Sequence, residues 1–279
     1  MPRTIQVRSR NHSARLLRKQ VPCTVPTVLR LGSFTSTEEI FTPQQIRSGI
    51  IEINTVNSCK NSNDKLLMKQ CFDNCAVPTA NWALLSEVTP NNEGQVTINT
   101  NARKAYNTLR YPLIIKNRHS SRGRGIYFVP DEATLIRYKR ELTQTAHIIE
   151  EFRNFSKEYR VHASALGTFY ANRKMLLRDV PEDQRFHRHH ENTVWILPNN
   201  PDFDAPTNIE AMYEAAALAV EAVGLTIGCV DVLVQQNRPG RQPEFIILET
   251  NSAPALGETT APIYIQELTR LTTSLNSER

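Results

Sequence analysis

Two stretches decide how this chain folds: Ile227-Gly-Cys-Val-Asp-Val-Leu-Val234 and Phe245-Ile-Ile-Leu-Glu-Thr-Asn251. Each is apolar enough for a buried strand, yet each carries a carboxylate, Asp231 or Glu249, and Asn251 lies two residues on. A charge inside an apolar strand must be paired, neutralised or bound to a cation. The connection between them, residues 235–243 (QQNRPGRQP), reads as a turn, so the strands are expected to pair antiparallel with Asp231 facing Glu249. Two facing carboxylates repel unless a cation joins them. Residues 249 and 251 share a strand face, and an Asp/Glu/Asn set without His or Cys suits Mg²⁺. The plainer alternative is an Asp231 turned to solvent by simple alternation.

Outward from these strands, Ile209 to Val223 has the spacing of an amphipathic helix ended by Gly224. Further upstream, Tyr111 to Lys116 and Ile126 to Val129 read as two strands around a polar loop, 117–125, giving a hairpin with a basic tip. Lys116 closes the first strand. The loop supplies Ser120, Ser121, Arg122, Gly123, Arg124 and Gly125. A strand-end lysine, hydroxyls and glycine-exposed N–H groups can wrap phosphate oxygens, although a solvated turn has the same composition. This is not the Walker arrangement, which opens a helix. A phosphate-gripping hairpin combined with a magnesium site implies phosphoryl transfer from ATP.

The remaining chain reads as mixed α/β. Asn63 and Asp64 are candidate caps of a helix running to Cys75, where Val77-Pro78 stops it. Residues 88–100 read as a polar loop and Ala102 to Leu109 as a helix. Asp131 to Leu142 is predicted as an acid-capped helix and Ile148 to Phe152 as a strand. Tyr159 to Leu166 and Thr168 to Leu177 are predicted to pair, and a helix closes the chain from about Pro262 to Leu275. Thr4 to Val7, Ser13 to Lys19, Thr27 to Leu31 and Ile50 to Ile53 suggest a small N-terminal α/β domain.

The 279 residues, 40% hydrophobic and 22% charged, suit a soluble protein of two ordinary domains or one with a large core, with no apolar run long enough to span a membrane and no secretory signal. Five scattered cysteines point to reduced thiols and a cytoplasmic setting. Cys71 and Cys75 share a helix face but lack further ligands for zinc. His187, His189 and His190 lie among Arg and Glu, which favours a substrate-side loop or plain surface over a zinc site. The net charge of +5 permits anionic partners, ATP or nucleic acid. Aromatic residues make up only 7%, and no stacking array favours nucleic acid.

These motifs resemble the ATP-grasp carboxylate–amine ligases, and among them the RimK-type branch that attaches glutamate to ribosomal-protein tails. The likeness runs from about Asn57 to Leu275 and is strongest over Ala215 to Leu256, where the helix, the Asp231 strand and Glu249-Thr-Asn251-Ser-Ala-Pro254 follow one another. The resemblance implies an ATP-grasp fold of α/β (α+β) class, two α+β subdomains gripping ATP. A short N-terminal α/β domain (1–57) would precede the ATP-grasp domain (58–279), with a lid subdomain at about 111–150 and a metal-binding subdomain at about 151–279. It implies Lys65 and Lys116 as ATP lysines and Ser120 to Gly125, including Arg122, as the lid. Glu150, Glu151 and Phe152 would hold adenine through their main chain, with Glu158 near the ribose. Asp231, Glu249 and Asn251 would hold a pair of Mg²⁺ (or Mn²⁺) ions. Arg160 and Arg178 would surround an acyl phosphate, and Arg188 and Asn192 would contact phosphate or substrate.

The implied partners are a carboxylate substrate and an amine acceptor (an amino acid, peptide or protein tail), with a homo-oligomer common among relatives. The family's pattern is departed from in the short N-terminal region, the two lid arginines and the longer Asp-to-Glu connection. The rival readings are a ligase for a non-peptide small molecule, a basic nucleic-acid-binding protein, and a nucleotide-binding domain without catalysis.

Overall fold

In the computed structural model of the chain, the Asp231 and Glu249 strands lie side by side and antiparallel, with these two residues directly opposite. The structure describes all residues except 1, 2, 10, 92, 101–103, 122, 182–191, 237, 278 and 279. The chain opens with β1 (Gln6–Ser9), α1 (Ser13–Leu17), β2 (Thr27–Leu31), α2 (Pro43–Arg47) and β3 (Ile51–Ile53). Two helices follow, α3 (Val56–Asn63) and α4 (Lys65–Asn74). Then come β4 (Trp82–Leu84), β5 (Val88–Pro90), β6 (Gln95–Ile98), β7 (Thr108–Arg110), β8 (Leu113–Asn117) and β9 (Ile126–Val129). After α5 (Glu132–Glu141) come β10 (His147–Glu151), β11 (Lys157–Ser164), β12 (Gly167–Leu176) and β13 (Thr193–Ile196). The chain ends with α6 (Ile209–Ala222), β14 (Ile227–Val234), β15 (Phe245–Asn251) and α7 (Thr260–Ser277).

Four sheets organise these elements: β1-β2-β3, β4-β10-β8-β9, β5-β6-β7 and β13-β12-β11-β14-β15. The five-stranded sheet is built by alternation. Val230, Val232 and Val234 point to one face and pack with Val161, Ile247 and the α6 residues Met212, Ala216, Ala219, Val220 and Val223. The period of 2 in the strands then forces Cys229, Asp231 and Leu233 onto the opposite face. That opposite face is where the site forms.

The N-terminal strands run parallel and are fastened to β14 and to the loop after β15. Asn54 donates to the carbonyl oxygens of Arg30 (3.0 Å) and Ile227 (2.9 Å), and accepts from the Thr226 and Ile227 N–H groups. Asn11 donates to Ala253 O at 2.8 Å. Gly32 has φ +68°, and a Cβ there would sit 2.9 Å from the Ala253 Cβ, so this close approach needs glycine.

Three sequence expectations are corrected. Residues 88–100 are not a loop: β5 and β6 pair as a hairpin whose turn is held by Asn91 Oδ1, which accepts from the N–H groups of Glu93 and Gln95. The short alternation Gln-Val-Thr-Ile buries Val96 completely and Ile98 almost so. No helix spans 102–109 among the described residues. Leu109, fully buried, pairs with Val96 in β7, so sheet pairing replaces the expected helix at that end of the segment; residues 101–103 lie outside the described set. Asn63 ends α3 rather than capping α4, whereas Asp64 does cap α4, accepting from Leu66 N–H at 2.9 Å. Among the described residues no helix is long and apolar enough to cross a membrane.

Candidate active site

Registers across the five-stranded sheet set out three rows on the face opposite α6, the third of them reached by Tyr264 of α7. Lys174, Glu158, Leu233 and Ile246 form the first row, and Asn172, Arg160, Asp231 and Glu249 the second. Tyr170, His162, Cys229 and Asn251 form the third. A cavity of about 350 Å³ lies between this face and the β8–β9 hairpin. Ile114, Ile126, Leu233, Ile246 and Leu248 give it apolar walls, and Lys65, Lys116, Asp231 and Glu249 a charged end. The combination suits a flat base and an anionic tail.

A β-bulge makes this possible. Asp231 faces Glu249, but Val232 faces Ile247, so Leu248 is the extra residue. Ile247 stays in the core, while Leu248 and Glu249 both line the cavity. Without the bulge, the alternation that turns Ile246 and Leu248 to the cavity would turn Glu249 away.

At the charged end, Lys65 Nζ donates to Ser120 O at 2.6 Å and stands 3.7 Å from Glu249. Its own main chain donates to Arg118 O. Arg118 in turn donates to both oxygens of Asp64, at 3.0 and 2.5 Å. Burial pushes the Asp64 carboxyl up, but Arg118 and the Leu66 N–H outweigh it and hold the group below the usual range. The start of α4 and the hairpin tip are thus tied together. Asp64→Ala is expected to cost about 1 kcal/mol for the lost cap, and more where Arg118 is left unpaired. Thermal denaturation measures it, and an unchanged midpoint would contradict this role. Gly125 has φ +65°, and a Cβ there would meet the Asn117 Cβ at 2.9 Å. Ser120, Ser121 and Gly123 line the cavity; Arg122 is outside the described residues.

Lys116 contacts Glu150, and Glu150 is also 3.0 Å from Lys69, a residue only 1% exposed. Burial pushes Glu150 up, but Lys116 and Lys69 overcome it and hold the carboxyl at about 2. Burial pushes the Lys69 ammonium down. Sequence reasoning missed Lys69, since a lysine inside a helix carries no signal of burial.

At the hinge Glu150, Glu151 and Phe152 all line the cavity, but not every main-chain donor there is available. Glu150 lies within β10 between β4 and β8. Glu151 N–H donates to Asn81 O and Phe152 N–H to Pro112 O, both at 2.9 Å. These donors are spent on the fold, because edge groups left unpaired would be costly. Among the described residues, Arg153 and Asn154 are the first along the hinge with main-chain N–H groups to offer a base, and both line the cavity.

In the first row Lys174 donates to Glu158 at 3.0 Å. In the second, Arg160 grips Asp231 with two parallel bonds, 2.7 and 2.8 Å, and lies 4.9 Å from the Trp195 ring. Burial pushes Asp231 up, but Arg160 prevails and keeps it ionised, while Arg160 is itself held well above its ordinary value. Asn251 Oδ1 accepts from Ala253 N–H at 2.9 Å, shaping the next turn. It is not in the cavity wall, though an amide oxygen retains a second lone pair.

Arg178 lies in an exposed turn after β12, and Asn192 precedes β13 with its carbonyl accepting from Leu177 N–H. Neither lines the cavity. Arg188, His187, His189 and His190 fall outside the described residues. Among the described residues no cluster of three or more His, Cys, Asp and Glu side chains could hold a metal. The facing carboxylates of Asp231 and Glu249 are the candidate oxygens for a hard cation on this wall, with Asn251 next in the strand. That set fits Mg²⁺, which keeps several waters and shares its sphere with phosphates.

Lys65 at the start of α4 and Lys116 on β8 line one apolar-walled cavity with Asp231 and Glu249, an arrangement suited to a nucleotide. Residues 71–235 match the ATP-grasp domain, and the chain belongs to that family. Its fold is similar to D-alanyl-alanine synthetase A from Vibrio cholerae (12% identity, TM-score 0.61, covering 98% of each chain). D-alanine–D-alanine ligase from Bacillus anthracis complexed with ATP is also similar (14%, TM-score 0.55, covering 95% of this chain and 84% of that one). So is N5-carboxyaminoimidazole synthetase from Staphylococcus aureus complexed with ADP (15%, TM-score 0.52), where the match covers 85% of this chain but 56% of the other. No curated protein matches the chain.

Proposed function

We propose that the protein is an ATP-dependent carboxylate–amine ligase, of RimK-like type, joining an amino acid or peptide through an acyl phosphate. The observation that carries this is the pairing of Asp231 with Glu249 on the same cavity wall that Lys65 and Lys116 face. Bound Mg²⁺, held by Asp231, Glu249 and Asn251, would supply positive charge beside the phosphate oxygens.

The chain's own residues do the rest. The apolar slot takes the base, and Arg153 and Asn154 offer it main-chain donors. Lys65 and Lys116 oppose negative charge as a substrate carboxylate oxygen attacks the γ-phosphorus of ATP and ADP leaves. Arg160 holds Asp231 in position. The hairpin tip, fastened through Lys65 and Arg118, keeps water from the acyl phosphate. The amine then displaces phosphate.

The nucleic-acid reading loses support from Arg118, whose guanidinium is spent on Asp64. A ligase for a non-peptide amine shares every feature named so far. The test is ADP release with Mg²⁺ and ATP against pooled amino acids, with and without acidic or basic peptides. Release that needs a particular pool supports the ligase and begins to name its substrates; nucleotide binding without release from any pool would contradict it.

A further inference from the structure

Beyond the Arg160–Asp231 pair, the same sheet face carries Asn172, Tyr170 and His162. Asn172 is the cross-strand partner of Arg160, and Tyr170 that of His162; the His162 and Tyr170 rings are 5.4 Å apart. His162 is 2% exposed and Asn172 8%, and Tyr170 is half-buried. His162 Nδ1 is 2.9 Å from the Tyr264 hydroxyl. The other polar atoms are unspent: His162 Nε2, Tyr170 Oη and Asn172 Oδ1 are buried without a hydrogen-bond partner. A buried polar atom without a partner is costly, and folded proteins pair nearly all of them. Three on neighbouring positions beside a reaction centre imply a ligand that completes them.

The chemistry of that ligand follows from the atoms. Asn172 Oδ1 can only accept, so its partner must donate; a hydroxyl oxygen and an imidazole nitrogen are both able to accept. The adjoining carboxylate on this wall, Asp231, already carries the Arg160 guanidinium against it. Neutral acceptors beside a guanidinium favour a neutral N–H donor over an ammonium ion. An unprotonated amine is also the form with a lone pair free to attack.

We propose that Asn172, with Tyr170 and His162, forms the subsite of the amine substrate; this rests on the ligase reading. The amine nitrogen bonds to the acyl carbon there and the C–O bond to the phosphoryl group breaks. Phosphate leaves with that electron pair and takes up the proton the nitrogen sheds.

The test separates the two half-reactions. Hydroxylamine, a small nucleophile, captures an acyl phosphate as a hydroxamate without needing the substrate amine's contacts. In Asn172→Leu, ADP release driven by the amine pool should fall at least tenfold, with the amine KM raised, while hydroxamate formation from the carboxylate pool and ATP binding stay within about threefold. Tyr170→Phe, which keeps the ring, should give a smaller loss of the same kind. Retained amine-driven turnover in both variants would overturn the subsite. So would parallel loss of hydroxamate in a variant that still binds ATP. If the unaltered protein forms no hydroxamate and releases no ADP with any pool, the ligase reading itself fails, and this subsite with it.

Discussion

Asp231→Asn should lower Mg²⁺-dependent ADP release by at least about 100-fold, the scale on which removing a group aimed at developing charge reduces turnover. The change keeps the shape of the side chain and deletes its charge. Two consequences follow, and they need separating. A cation shared with phosphate loses a charged ligand, and Arg160 loses the partner it grips at 2.7 and 2.8 Å. The second effect destabilises the fold, since stripping one member from a buried pair costs about 3–5 kcal/mol. Glu249→Gln is the cleaner companion. Its side chain is 38% exposed and only 3.7 Å from Lys65, so it should fold almost as well as the unaltered chain and still lose most of its turnover. Denaturation midpoints and nucleotide affinity measured beside ADP release distinguish the cases. Folded variants that keep more than about a third of the turnover would sink the metal assignment.

Glu150→Gln should produce a loss of stability as large as that of any conservative change at the site. Glu150 is 2% exposed and is the shared counter-ion of Lys69 and Lys116. Neutralising it leaves two ammonium groups facing each other in a desolvated setting, at a cost of about 3–5 kcal/mol. The pH dependence has a definite sign. The carboxyl is held at about 2 against an ordinary 4.5, so its folded-state value is depressed. Its stabilisation is fully present above pH 4.5 and is lost as pH falls from there towards about 2. Urea denaturation near neutral pH should show the variant less stable, with the difference shrinking at acid pH. The double variant Lys69→Met, Glu150→Gln should recover part of the loss, because one of the stranded charges is gone. Equal midpoints for the single variant and the unaltered protein at neutral pH would show that the triad is not stabilising.

What the sequence revealed follows the strength of local patterns. Asp231 and Glu249 stood out because a carboxylate in an apolar strand has few innocent explanations, and the turn between the strands dictated their pairing. Asp64 and Asp131 were legible as caps because capping needs a short acceptor at one position. The strands β5 to β7 were not legible: four residues of alternation among Thr, Asn and Gln look like a loop, and only pairing makes them strands. Lys69, buried, and Lys174, half-buried, are held by partners outside their own elements, Glu150 and Glu158, which no periodicity announces. Which hinge N–H groups are already used was not legible, because it depends on what Asn81 and Pro112 accept. The bulge at Leu248 leaves no trace in Phe-Ile-Ile-Leu-Glu either.

The rows on the sheet also act as a ruler. Alternate residues along a strand are about 6.6–6.8 Å apart, so the Glu158, Arg160 and His162 rows are fixed steps along one axis. A ligand anchored by its base at the Arg153–Asn154 end is measured against that scale. Under the proposed function, a nucleotide would meet the Asp231–Glu249 row only through phosphates that extend past the first step of that scale. Selection among nucleotides would then be a matter of length, set by the strand repeat and needing no side chain that recognises the terminal phosphate as such.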